Sequence, residues 1–116
     1  MVSEGLRQVL LAGEGVGELA GPGTGQGVAD HPVCGDRVQL SVQHEAGTIR
    51  AVRWRAAGCP ASMAVAALCA KVLVDVPVAQ APSALRSAIA AHGGLAAHER
   101  HAEGMVLRAL AAAVAK

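Results

Sequence analysis

The sequence predicts an α+β domain, with helices packed on one face of a small antiparallel sheet. Three observations carry that prediction. Val38, Leu40 and Val42 alternate with Gln39, Ser41 and Gln43 at the period of a half-buried strand. After Pro60 nearly every residue to Val74 is small or apolar, broken only by Ser62 and Lys71, as in a buried helix. Near the C-terminus, Val106, Leu107, Leu110 and Val114 recur at helical spacing.

Taken in order, residues 1–12 are expected to hold an amphipathic helix, with Ser3 as N-cap and Leu6, Val9 and Leu10 on the inner face. Residues 13–36 form a Gly-rich loop and then a first ligand loop, because each Gly costs a helix about 1 kcal/mol relative to Ala. An edge strand fits near the end of the Gly-rich stretch. Residues 37–56 read as a hairpin turning at Glu45-Ala46-Gly47, and Ile49, out of phase with Val52, signals a bulge. Residues 59–116 are helical: one helix over 60–74, a connector bounded by Pro77 and Pro82, a second over 83–91 ended by Gly93-Gly94, and a last over 98–114. The whole of 1–116 fits one domain.

Composition narrows the function classes. A formal charge of +1 and a pI near 7.8 supply no field that would attract nucleic acid or an anionic membrane. The apolar run after Pro60 is shorter than the roughly 20 residues a membrane-spanning helix needs. The N-terminal residues, with Glu4 and Arg7, do not read as a signal peptide, so a cytoplasmic protein is expected. In that reducing compartment three cysteines are better read as thiols or metal ligands than as a disulfide framework. Trp54 is the only aromatic residue, so the core must be built from Ala, Val, Leu, Ile and Met.

The chemistry-bearing residues sit at the two ends of the hairpin. Cys34 lies in Pro32-Val-Cys-Gly-Asp36 just before the first hairpin strand, and Cys59 in Gly58-Cys-Pro60 just after the second. One strand out and one back return the chain to the same end of the sheet, so both thiols can share a site. Cys59 at a helix N-terminus is expected to feel the positive end of the helix dipole, which favours thiolate. Asp36 adds a hard oxygen ligand that would make a thiolate site more labile. Cys69, ten residues beyond Cys59 on the same helix, is about 15 Å away by helical rise and reads as core. His44 and His92 read as surface and capping residues.

The segments His31-Pro-Val-Cys-Gly-Asp-Arg-Val-Gln-Leu40 and Ala57-Gly-Cys-Pro-Ala-Ser-Met-Ala64, with a hairpin between them, resemble the two signature regions of the U-type iron-sulfur cluster scaffold family, the IscU, SufU and NifU N-terminal group. The resemblance implies an IscU/NifU-N-like fold and a carrier rather than an enzyme. On it a [2Fe-2S] cluster would be assembled from iron and from sulfur delivered by a cysteine desulfurase, then passed to recipient apo-proteins. Zinc can occupy the same site in such proteins, and the SufU-like branch implies zinc-dependent sulfur transfer. Cys34, Asp36 and Cys59 match the family's first cysteine, its aspartate and its second cysteine.

The family's third cysteine, near the start of the last long helix, is missing. Aligning Glu99-Arg-His-Ala-Glu-Gly-Met-Val-Leu107 ahead of the apolar stripe puts Glu103 at about its place, with His101 and His98 nearby. Glu103 or His101 would then replace the thiolate in a set suited to zinc, which accepts S, N and O ligands. The competing expectation is a degenerate, metal-free relative acting as a protein-interaction module, in which the acidic residues merely complement a helix dipole. A zinc hydrolase is disfavoured because no general base is evident. The loop by which IscU-like members engage a chaperone is not recognisable, and the 44 residues from Cys59 to Glu103 leave no room for the SufU insertion. A homo-oligomer is compatible with the sequence, which does not specify one.

Overall fold

The computed structural model describes residues 2–31 and 35–115. Helix α1 (Glu4–Ala12) is followed by strands β1 (Thr24–Asp30), β2 (Arg37–Glu45) and β3 (Thr48–Ala57), and then by α2 (Pro60–Val72), α3 (Ala81–Ala91) and α4 (His101–Val114). Short 3-10 turns precede α3 at Val78–Gln80 and α4 at Ala97–Glu99. The fold is α+β, an antiparallel sheet in the order β1-β2-β3 with helices on one face.

The hairpin follows the expected pattern. Val38, Leu40 and Val42 are fully buried, and Leu40 pairs with Trp54 across the ladder. Ala46 and Gly47 both take positive φ, 52° and 79°, the conformation of a tight hairpin turn. The register shifts beyond Gln43, which faces Ala51, while His44 faces Ile49; Arg50 is the extra residue, and the bulge turns Ile49 into the core. Because Arg37 pairs with Ala57, Asp36 and Gly58 are brought side by side at the open end of the hairpin.

The Gly-rich stretch is more ordered than its composition implies. Residues 14–17 run beside the free edge of β3, where the Gly17 amide donates to the Trp54 carbonyl at 2.9 Å and the Trp54 amide to that of Gly15 at 2.8 Å. The chain then passes to β1, whose Gln26 side chain donates to the Leu19 carbonyl at 3.3 Å. The edge strand is seven residues long, and its glycines are what allow it to pack: a Cβ on Gly25 or Gly27 would overlap the carbonyl oxygens of Ala113 or Ala109 on α4. Glycine is a weak strand former, and here the strand is held by the helix that lies on it.

Helix α2 is the centre of the core, with Ala61, Ala64, Val65, Ala66, Ala67, Leu68 and Cys69 all 2% exposed or less. Its small side chains let neighbours approach on several sides, so it is apolar nearly all round. Boundaries differ from expectation by small amounts. Helix α2 ends at Val72, α3 begins at Ala81 with Pro82 in its first turn, and α4 begins at His101, the preceding three residues having wound as a 3-10 turn. The caps are as expected: Ser3 Oγ accepts from the Leu6 amide at 3.3 Å, and Gly94 closes α3 by donating to the Ile89 carbonyl at 2.9 Å. No helix among the described residues is long and apolar enough to cross a membrane.

Candidate metal centre

The site forms where the open end of the hairpin meets the first turns of α2 and α4. Cys59 is the N-cap residue of α2, in extended conformation, with Pro60 beginning the helix. Its free amide points back to Asp36 and donates to Oδ1 at 3.1 Å. Gly58 makes this close approach feasible: its φ is 124°, and a Cβ there would overlap the Asp36 carboxylate. His101, the first residue of α4, reaches the same point from across the core. One nitrogen, Nε2, lies 3.2 Å from Asp36 Oδ2 and 3.5 Å from Cys59 Sγ.

Asp36 is 2% exposed and thoroughly hydrogen-bonded. Ser62, one turn into α2 and fully buried, donates to Oδ2 at 3.1 Å. Burial is the largest single influence on the carboxyl and pushes its pKa up. The Cys59 thiol and amide, the His101 ring and the Ser62 hydroxyl together outweigh it and hold the pKa below the usual aspartate value. The His31 ring packs against His101, centroids 4.8 Å apart and planes tilted by 57°.

Asp36, Cys59 and His101 thus present one oxygen, one sulfur and one nitrogen, all within 4.8 Å of one another. Zinc with bonds of about 2.3 Å to sulfur and about 2.0–2.1 Å to nitrogen and oxygen has tetrahedral edges of about 3.5 Å for S···N and about 3.3 Å for N···O. The observed 3.5 and 3.2 Å fit those edges. The donor set is also of the borderline kind that zinc accepts.

Of the residues singled out from the sequence, Asp36, Cys59 and His101 come together. Cys34 lies outside the described residues. Glu103 is part of no such cluster among them; its carboxylate faces Arg86 at 3.8 Å. His98, in the turn before α4, lines a groove of about 570 Å³ that also reaches Leu10, Leu11, Pro60, Cys59 and His101. Glu99 is buried and accepts from the Ala96 amide at 3.0 Å, a helix-start contact. Cys69 is buried, and desolvation pushes its thiol up to about 12. His92 caps α3, its Nδ1 2.7 Å from the Ala88 carbonyl oxygen. Sequence reasoning missed Ser62 as a site residue, although its presence in an otherwise apolar helix one turn after Cys59 was a visible signal.

The family model of the NifU-like N-terminal domain matches residues 12–116. No curated protein matches this sequence significantly. Among solved structures, the chain is similar to a candidate iron-sulfur cluster assembly scaffold protein for the SUF system from Fervidobacterium islandicum AW-1. The TM-score is 0.75 at 14% identity, over 97% of this chain and 95% of that one. It is also similar to the N-terminal part of a nitrogen-fixing NifU-like protein from Brucella abortus, with TM-score 0.63 at 17% identity, over 92% of this chain and 75% of that one. These likenesses concern the fold, and the family match concerns the sequence itself across nearly its whole length. The chain belongs to the NifU-like N-terminal domain family.

Proposed function

We propose that this protein is a scaffold or sulfur carrier in iron-sulfur cluster assembly whose resting site holds a single zinc ion. The ligands are Cys59, Asp36 and His101, with Cys34, two residues before Asp36, as the fourth. One observation carries the choice: sulfur, nitrogen and oxygen donors converge within 4.8 Å of one another, and the imidazole nitrogen lies at tetrahedral edge lengths from both the sulfur and the carboxylate oxygen. A two-iron cluster spreads its ligands over two metals and favours thiolate, whereas an imidazole at the third position favours zinc. A [2Fe-2S] cluster is then transient cargo. His101, and not Glu103, takes the place of the missing cysteine.

Zinc at this site would hold the thiolates together and keep them deprotonated. Sulfur acceptance then has the Cys59 thiolate attack the terminal sulfur of a cysteine persulfide on a desulfurase. A new S–S bond forms on Cys59, the old one breaks, and the desulfurase cysteine leaves as thiolate. The groove beside Cys59 and His101 supports such an approach, being open and mostly apolar. The partners are a cysteine desulfurase and recipient apo-proteins, and the protein is a carrier with no turnover of its own.

Metal and acid-labile sulfide content of the purified protein, before and after anaerobic reconstitution, tests this. About one zinc per chain is expected, lost in Cys59→Ser and His101→Ala and kept in Glu103→Ala. Metal retained in His101→Ala but lost in Glu103→Ala would reverse the ligand assignment. No metal or sulfide under any condition would leave the metal-free interaction module as the better account.

A further inference from the structure

We propose that Ser62 is a positioning residue of the metal centre, given the metal site inferred above. Its hydroxyl fixes the rotation of the Asp36 carboxylate and so sets which oxygen faces Cys59 and His101. Ser62 is fully buried on a helix whose other inward positions are Ala, Val, Leu and Cys, so its hydroxyl is out of place unless a partner compensates for its desolvation. Three polar atoms surround it: Asp36 Oδ2 at 3.1 Å, Cys59 Sγ at 3.5 Å, where either group can donate, and Met105 Sδ at 4.0 Å. The hydroxyl has one proton to give. The charged oxygen is the strongest acceptor and the nearest, so the proton goes to Asp36.

The carboxylate is thereby held at both ends by α2. Oδ1 takes the Cys59 amide and Oδ2 takes the Ser62 hydroxyl, while His101 approaches Oδ2 alone from α4. Without Ser62 the carboxylate keeps only its contacts with Cys59 on the α2 side and can swing about them, drawing Oδ2 away from His101. The spacing is economical, because Cys59 and Ser62 are three residues apart and lie on one face of the helix.

Two measurements test the proposal, one without metal and one with it. In the metal-free protein, Ser62→Ala is expected to speed amide exchange at Cys59 about tenfold while amides further along α2 keep their protection. With cobalt(II) as the probe, Ser62→Ala is expected to bind about 10–100-fold more weakly and to shift the thiolate-to-cobalt charge-transfer band. In an Asp36→Ala background the same substitution should change neither affinity nor band, since Ser62 acts through that carboxylate. Wild-type exchange at Cys59 together with wild-type cobalt binding in Ser62→Ala would overturn the proposal, as would an equal loss in both backgrounds. If the unaltered protein binds no cobalt, the metal site falls, and faster exchange at Cys59 would still show that Ser62 orients Asp36.

Discussion

Helix α2 carries two cysteines ten residues apart, and the two ends of the helix treat them in opposite ways. At the N-terminal end Cys59 is partly exposed, its amide is free to bind Asp36, and its sulfur has His101 and Ser62 within 3.5 Å. At the other end Cys69 is enclosed by apolar side chains, and the cost of desolvating a thiolate pushes its pKa to about 12. The difference comes from the backbone as much as from the neighbours. The first turn of a helix has unpaired N–H groups that can organise an anion, whereas the interior of a helix has none to offer. The same side chain is part of a polar cluster in one place and a packing residue in the other.

The largest expected effect tests that contrast directly. Treated with an alkylating reagent near pH 8, the native metal-free protein should be modified at Cys59. Cys69 should react far more slowly than Cys59, since burial shields its sulfur and raises its pKa. Mass spectrometry of the labelled peptides reads the ratio, and comparable labelling of both would remove the contrast. Next in size, His101→Ala should weaken zinc binding by more than the 10–100-fold typical of losing an outer partner, as competition with a chromophoric chelator would measure. Cys69→Ser should leave zinc affinity unchanged.

Two substitutions sharpen the comparison on the stability side. Gly58→Ala forces a side chain into left-handed backbone and onto the Asp36 carboxylate, so a loss of about 1–3 kcal/mol in chemical denaturation is expected, with reduced metal binding. Cys69→Ser puts a hydroxyl into an apolar setting and should cost about 1–3 kcal/mol with the site intact. A smaller effect concerns acid. Because Asp36 has a lowered folded pKa, its contribution to metal-free stability is present above the ordinary value of 3.8 and is lost as pH falls through the folded value. Asp36→Asn should therefore flatten the acid limb of a stability profile, and an unchanged limb would show that Asp36 adds nothing. Smallest of all, Glu103→Ala should alter stability by no more than about 0.5 kcal/mol, because its pairing with Arg86 is exposed to solvent.

Much of the fold was legible because its signals are local. The alternation in β2, the bulge announced by Ile49, the caps at Ser3 and Gly93-Gly94 and the apolar run after Pro60 each act within a few residues. The edge strand β1 was harder to see, since Thr-Gly-Gln-Gly is poor strand sequence. What holds it is the close approach of α4, which lies some 80 residues further along the chain. The choice between Glu103 and His101 was open in the sequence for a related reason. Successive helical residues turn by about 100°, so Glu103 points about 200° around the helix from His101. Both could not serve one site, and choosing between them required the facing of α4.

The sequence by itself determined the class of the fold, the pairing of the hairpin and the placing of Cys59 and Asp36 at its open end, because strand periodicity and turn chemistry are short-range constraints. Only the tertiary structure decided that His101 meets them, that Glu103 turns to Arg86, and that Ser62 and Gly58 hold the carboxylate between them. Those contacts join residues 17 to 65 positions apart and depend on which face of a helix is buried. That facing is settled by the packing of the whole core, with Ala, Val and Leu side chains fitted around α2.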